Sequence, residues 1–137
     1  MQEKPARLDK SLEKIVLEIL KSRAKARIYV YLIGRNGAKS EQIIKGTKLH
    51  PSTVREMLSD MHYKKLIYRK KIQKDGIGKN PYMYFAIPPV ELLKRYRNEM
   101  EDRLNRLARL AFSANNETYN GSVKIKIIEG PEKYEHS

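Results

Sequence analysis

Residues 40–65 read Ser40-Glu-Gln-Ile-Ile-Lys-Gly-Thr-Lys-Leu-His-Pro-Ser-Thr-Val-Arg-Glu-Met-Leu-Ser-Asp-Met-His-Tyr-Lys-Lys65. Two short amphipathic runs sit here with only a tight connection between them. Ser40 stands where a helix cap belongs, and Glu41 falls in the first turn, where the helix dipole favours an anion. A helix is therefore predicted from Glu41 to about Thr47, with Ile43 and Ile44 as its buried pair. Pro51 suits the first turn of the next helix, because its missing N–H would be unpaired there in any case. Val54, Leu58 and Met61 follow at i, i+4 and i+7, so that helix is expected over 51–65. So short a turn makes the two helices cross steeply and lock through Ile43, Leu49, Val54 and Leu58.

On the N-terminal side, Leu8, Leu12, Ile15, Val16, Ile19 and Leu20 give one apolar helical face with lysines on the other. Ser22 offers a cap for a second helix, Ala24 to Gly34, whose apolar positions are Ala24, Ile28, Tyr31 and Leu32, with Tyr29 and Val30 on the flanks. Asn36-Gly37 marks a turn. On the C-terminal side the period changes. Residues 67–73 and 81–87 are rich in β-branched and aromatic side chains, and Lys74-Asp75-Gly76-Ile77-Gly78-Lys79-Asn80 between them is dense in turn formers, which predicts a β-hairpin. Pro88-Pro89 ends it. A long helix follows from Val90 to about Phe112, with Leu93, Tyr96, Met100, Leu107 and Leu110 at heptad-like positions, Leu104 alongside, and Arg103 interrupting the seam. Residues 113–122 read as a linker, 123–128 alternate like a strand, and the last six residues are expected to be disordered. The fold class is mainly α with a small β-hairpin wing: a winged helix-turn-helix with a long C-terminal dimerisation helix. The expected domains are 1–89 for the winged helix-turn-helix, 90–112 for the dimerisation helix, and 113–137 for linker, short strand and tail.

The 137 residues fit one compact domain with an extension, or two very small ones. Lys and Arg number 29 against 16 Asp and Glu, a formal charge of +13, which draws the chain toward polyanions. The absence of cysteine excludes a disulfide scaffold, a thiol nucleophile and a Cys-ligated zinc site. No run approaches the ~18 apolar residues of a membrane span, and Met1-Gln-Glu-Lys-Pro is no apolar signal segment. A cytoplasmic protein without membrane association is expected. His50, His62 and His136 show no ligand spacing with carboxylates, and Gly78-Lys79-Asn80 lacks the hydroxyl residue and leading glycine of a phosphate loop. Neither an enzyme nor a cofactor or metal site is expected.

A helix that follows a tight turn can lay its outer face in a DNA major groove, with its first two turns against base edges. The wheel for 51–65 sets Ser52, Glu56, Ser59 and Tyr63 opposite the core stripe. The base-reading candidates are Ser52, Thr53, Arg55, Glu56 and Ser59. Arg55 has the fork that pairs with guanine, and Glu56 can accept from a cytosine amino group. Asp60 is the second acid on that outer face. Lys64, Arg69, Lys70, Lys71, Lys74 and Lys79 are the candidates for phosphate contact, with the wing, 68–82, on the backbone or in the minor groove. Tyr68, Tyr82, Tyr84 and Phe85 are read as a hairpin face packed on the helical core, with base stacking as the alternative.

From Lys25 to Lys71 the sequence resembles the archaeal TrmB-like regulators within the MarR-like winged-helix group. The likeness lies in Ala26-Arg-Ile-Tyr-Val-Tyr-Leu, Ser40-Glu-Gln-Ile-Ile, Leu49-His-Pro-Ser-Thr-Val-Arg-Glu-Met-Leu and Lys64-Lys-Leu-Ile. The resemblance implies that Ser52, Thr53 and Arg55 open the DNA-reading helix and that 90–112 builds a dimer coiled coil through Leu93, Tyr96, Met100, Leu104, Leu107 and Leu110. Lys48 and Lys65 stand where relatives have glycine, which implies backbone strain at both. Larger relatives continue into a sugar-binding domain; here Val123 to Gly130 resembles only its first strand, so no small-molecule effector is evident. The expected partners are double-stranded operator DNA and a second copy of the chain. The rival readings are a winged-helix protein-interaction module and a non-specific chromatin-associated DNA-binding protein.

Overall fold

The computed structural model describes residues 6–72, 81–115 and 121–130, and the chain falls into two compact units, Met1–Pro88 and Pro89–Ser137. In the first unit, α1 spans Ala6–Leu20. Only Val16 of its predicted apolar face is buried; Leu12 and Ile15 are exposed, and the Leu8 side chain lies outside the described residues. Lys21 turns the chain in the left-handed region, at φ 58°, and α2 then covers Arg23–Arg35. Ser22 caps it as expected, its Oγ accepting from the Lys25 N–H at 3.2 Å. α2 is the central helix: Ala26, Ile28, Tyr29, Val30 and Leu32 are all buried, whereas Tyr31 is only half-buried. Asn36 ends it at φ 60°, donating its N–H to Leu32 O at 2.9 Å. Gly37 follows at φ 108°, and the Phe85 ring occupies the space a Cβ would need.

The chain then forms β1, Ala38–Lys39, which periodicity did not reveal. α3 spans Ser40–Thr47 and α4 spans Pro51–Tyr63. Lys39 rather than Ser40 takes the cap position of α3, and its N–H donates to the Gln42 Oε1 at 2.8 Å. Ser40 is already the first helical residue. Ile43, Val54, Leu58 and Met61 are buried, while Ile44 and Leu49 are half-buried, so the two helices lock through nearly the side chains predicted. Each such buried aliphatic group contributes about 1.5–3 kcal/mol. α4 stops two residues short of the predicted end: Lys64 is its cap, and Lys65 lies at φ 61°. Lys48, closing α3, lies at φ 61° too, so both lysines adopt the conformation that glycine takes without strain.

β2, Ile67–Lys71, and β3, Tyr82–Ala86, complete an antiparallel sheet of order β1-β3-β2. Ala38 pairs with Tyr84, and Ile67, Tyr68 and Lys71 pair with Ala86, Phe85 and Tyr82. The sheet is tied to α2 by the Tyr29 hydroxyl, which donates to Ile87 O at 2.6 Å. Burial pushes the Tyr29 phenol up to about 12, so it keeps the donated proton at any physiological pH.

In the second unit, α5 spans Pro89–Asn115, three residues beyond its predicted end, so 113–115 are helix rather than linker. Residues 121–130 belong to no helix or strand. They lie along α5 instead. Asn105 pairs with both backbone groups of Val123, at 2.7 and 3.2 Å; Glu101 accepts from the Ile125 N–H at 2.7 Å; and Arg97 donates to Ile125 O at 3.3 Å. Val123, Ile125 and Ile127 are half-buried, and Lys124 and Lys126 are exposed. The alternation read from the sequence is real, but helix side chains stand in for a neighbouring strand.

Candidate nucleic-acid interface

α4 is held from below by its apolar stripe and leaves its outer face bare. Ser52, Arg55, Glu56 and Ser59 are exposed and Thr53 is half-buried. Tyr63, at 82 % exposure, extends the same face toward the end of the helix. Three residues separate α4 from β2, and they are tightly bound: Lys64 N–H to Asp60 O, Lys65 N–H to His62 O and Leu66 N–H to Met61 O, at 3.0, 3.0 and 2.8 Å. Helix and wing are thereby set in one frame.

Asp60 is not part of a free outer face. It is paired with Lys25 of α2 and with Lys64, the latter at 3.2 Å. Hydrogen bonds from these two ammonium groups hold its carboxyl below the usual carboxylate range. Of the two acids assigned to that face, Glu56 alone points outward without such a role. The missed residue Lys25 lies 35 positions away, a separation no helical period reports. Lys64 likewise serves α4 through Asp60, in addition to any contact outside the molecule.

On the wing, Ile67 is the one buried residue of β2, and Tyr68, Arg69, Lys70 and Lys71 are all exposed. β2 is an edge strand, where lysines also discourage pairing with foreign strands. The cations are steadied by aromatic rings on both faces of the hairpin. Arg69 lies over Tyr82 at 4.2 Å and Lys70 over Phe85 at 5.4 Å, while Tyr68 and Phe85 stack at 5.3 Å between ring centres. The aromatic residues are thus engaged within the hairpin; Phe85 packs against the Gly37 turn, and Tyr68 remains about half exposed. Lys74 and Lys79 lie outside the described residues.

His50 is a functional candidate that sequence reasoning passed over. It is the cap of α4, with its carbonyl accepting from the Val54 N–H at 3.0 Å and its Nδ1 accepting from the Ser52 N–H at 3.2 Å. The same Nδ1 is 2.9 Å from the Ser52 hydroxyl. The position before a proline that opens a helix was the available signal, but histidine is not among the usual capping residues.

The six predicted dimerisation residues all lie on α5. Leu93, Leu107 and Leu110 are exposed, at 46, 60 and 62 %, and Tyr96, Met100 and Leu104 are half-buried. The segment 121–130 lies on the flank marked by Arg97, Glu101 and Asn105, and Leu93, Leu107 and Leu110 remain exposed. In the first turn the buried leucine is Leu92, one position from the heptad choice of Leu93. Among the described residues no three His, Asp or Glu side chains are grouped so as to hold a metal, and no helix is long and apolar enough to cross a membrane.

No protein-family model and no curated protein sequence matches the chain. Solved structures do. One, a possible transcriptional regulator from Methanosarcina mazei Go1, superposes with a TM-score of 0.58 at 19 % identity, over 72 % of this chain and 86 % of that one. Another, a MepR mutant from a multidrug-resistant S. aureus clinical isolate, gives a TM-score of 0.42 at 21 % identity, over 81 % and 86 %. With its three-stranded sheet, its paired α3 and α4 and its long C-terminal helix, the chain has the winged helix-turn-helix fold.

Proposed function

We propose that the chain is a sequence-specific, double-stranded DNA-binding transcriptional regulator of the MarR-like group, and more finely of the TrmB-like kind that residues 25–71 resemble. It acts in the cytoplasm as a homodimer joined through α5. α4 enters the major groove with Ser52, Thr53, Arg55, Glu56 and Ser59 toward base edges. The wing, with Arg69, Lys70 and Lys71, follows the phosphate backbone or the minor groove.

The observation that carries this reading is the bare polar face of α4 running within three residues into an edge strand whose exposed side chains include Arg69, Lys70 and Lys71. A short polar helix face beside a cationic ribbon fits a duplex, in which base edges lie between rows of phosphate. The fold of the Methanosarcina mazei chain, a possible transcriptional regulator, supports the same reading. The apolar stripe on α5 supports pairing of two copies, which would place two recognition helices about 34 Å apart on a pseudo-palindromic site.

The test is selection of duplex fragments from the source genome at moderate salt. Enrichment of one short, two-fold related sequence supports the proposal. Capture of all duplexes alike would favour chromatin packing, and no capture would favour a protein-interaction module.

A further inference from the structure

We propose that His50 sets the hydrogen-bonding polarity of the Ser52 hydroxyl, and that this polarity determines which base the first turn of α4 selects. The proposal rests on the DNA-reading role assigned to α4 above.

The Ser52 N–H is a donor, and it points at His50 Nδ1 with 3.2 Å between the heavy atoms. Nδ1 therefore accepts, and the ring proton of the imidazole lies on Nε2. The Ser52 hydroxyl is 2.9 Å from that same Nδ1. With Nδ1 unprotonated, this contact is a hydrogen bond when the hydroxyl donates and shares the single Nδ1 lone pair with the amide, which directs its one hydrogen into the protein.

The consequence appears on the exposed side of Ser52. A free serine hydroxyl can donate or accept, and so distinguishes bases poorly. With its proton committed to His50, Ser52 offers only lone pairs outward. In the major groove, adenine N6 and cytosine N4 carry the amino groups that such an acceptor can use, whereas guanine and thymine present acceptor oxygens at the corresponding edge. Ser52 thus selects adenine or cytosine on the strand it faces and rejects guanine and thymine. His50, itself exposed at the cap, is a positioning residue that need not touch the base.

The experiment measures affinities of wild type, Ser52→Ala, His50→Asn and His50→Ala for duplexes carrying each base pair at every position of the selected site, with thermal unfolding of each variant alongside. Wild type should prefer adenine or cytosine over guanine and thymine at one position by about fivefold, the worth of one hydrogen bond. Ser52→Ala should lose that preference. His50→Asn retains an acceptor for the Ser52 N–H and hydroxyl and should keep it. His50→Ala should flatten the preference at that position while leaving the others sharp. If His50→Ala keeps the preference and only lowers stability, or binds every sequence more weakly by one factor, His50 is merely a cap and the proposal fails. If Ser52→Ala changes no position while other positions stay selective, the proposal also fails but the DNA-reading role of α4 stands. Wild-type binding that is blind at every position would remove that role as well.

Discussion

α4 and α5 each bury one side and expose the other, yet the exposed sides are opposite in chemistry. The bare face of α4 carries Ser52, Arg55, Glu56 and Ser59, all content in water. The bare stripe of α5 carries Leu93, Leu107 and Leu110, whose hydration is unfavourable in proportion to their apolar area. A polar face next to a cationic ribbon can wait exposed until a polyanion arrives. An apolar stripe calls for a permanent cover, and a second copy of the same helix presents a matching one. On the proposed reading, α4 serves a transient partner and α5 an obligate one.

The largest effect should come from breaking the α5 side. Met100→Asp with Leu107→Asp should convert dimers to monomers by light scattering, and loss of the second half-site contact should weaken operator binding on the order of a hundredfold or more. A dimer that persists would show that α5 is not the seam. On the α4 side, Arg55→Ala should cost about 1–3 kcal/mol at one base pair and relax selectivity there, measured across single-position variants of the site. A uniform loss over all sequences would make Arg55 a phosphate contact instead.

The wing should behave differently from both helices. Lys70→Ala or Lys71→Ala should weaken binding evenly across sequences and lower the slope of log affinity against log salt by about one unit per lost contact. An unchanged slope takes that lysine out of the interface. Smaller still is the effect at the end of α4. Lys65→Gly should raise the unfolding free energy by about 1 kcal/mol or less, because it relieves the left-handed backbone at φ 61°. A lower melting temperature would show that the Lys65 side chain outweighs that strain.

The smallest effect belongs to Asp60, whose ion pairs are partly open to water. Its folded carboxyl is held below the ordinary range by Lys25 and Lys64, so this contribution is present above the unfolded carboxylate value and is lost as pH falls through the folded one. Asp60→Asn should therefore flatten the acid limb of stability below about pH 4. Identical limbs in the two proteins would rule the ion pairs out as contributors.

The parts of the fold that were legible are those whose signal is local. Ser22 and Pro51 announce helix starts because a cap and a missing N–H act within one turn. The strands 67–71 and 82–86 show in their composition, since β-branched and aromatic side chains crowd a short run. What escaped was set by distant partners. Ala38–Lys39 is a strand only because Tyr84 and Met83 lie beside it. The run 123–128 alternates for want of cover on one side, and sequence does not say that the cover is Arg97, Glu101 and Asn105. The candidate site divides the same way. The outward face of α4 follows from its wheel, whereas the pairing of Asp60 with Lys25 and the clasp of His50 on Ser52 depend on placement in space.

The most direct test compares affinity for the selected duplex with affinity for a scrambled duplex of the same composition, both at about 0.15 M salt. A chain that reads bases through α4 should bind the selected duplex about a thousandfold more tightly, or better. Equal affinity for the two duplexes would contradict it.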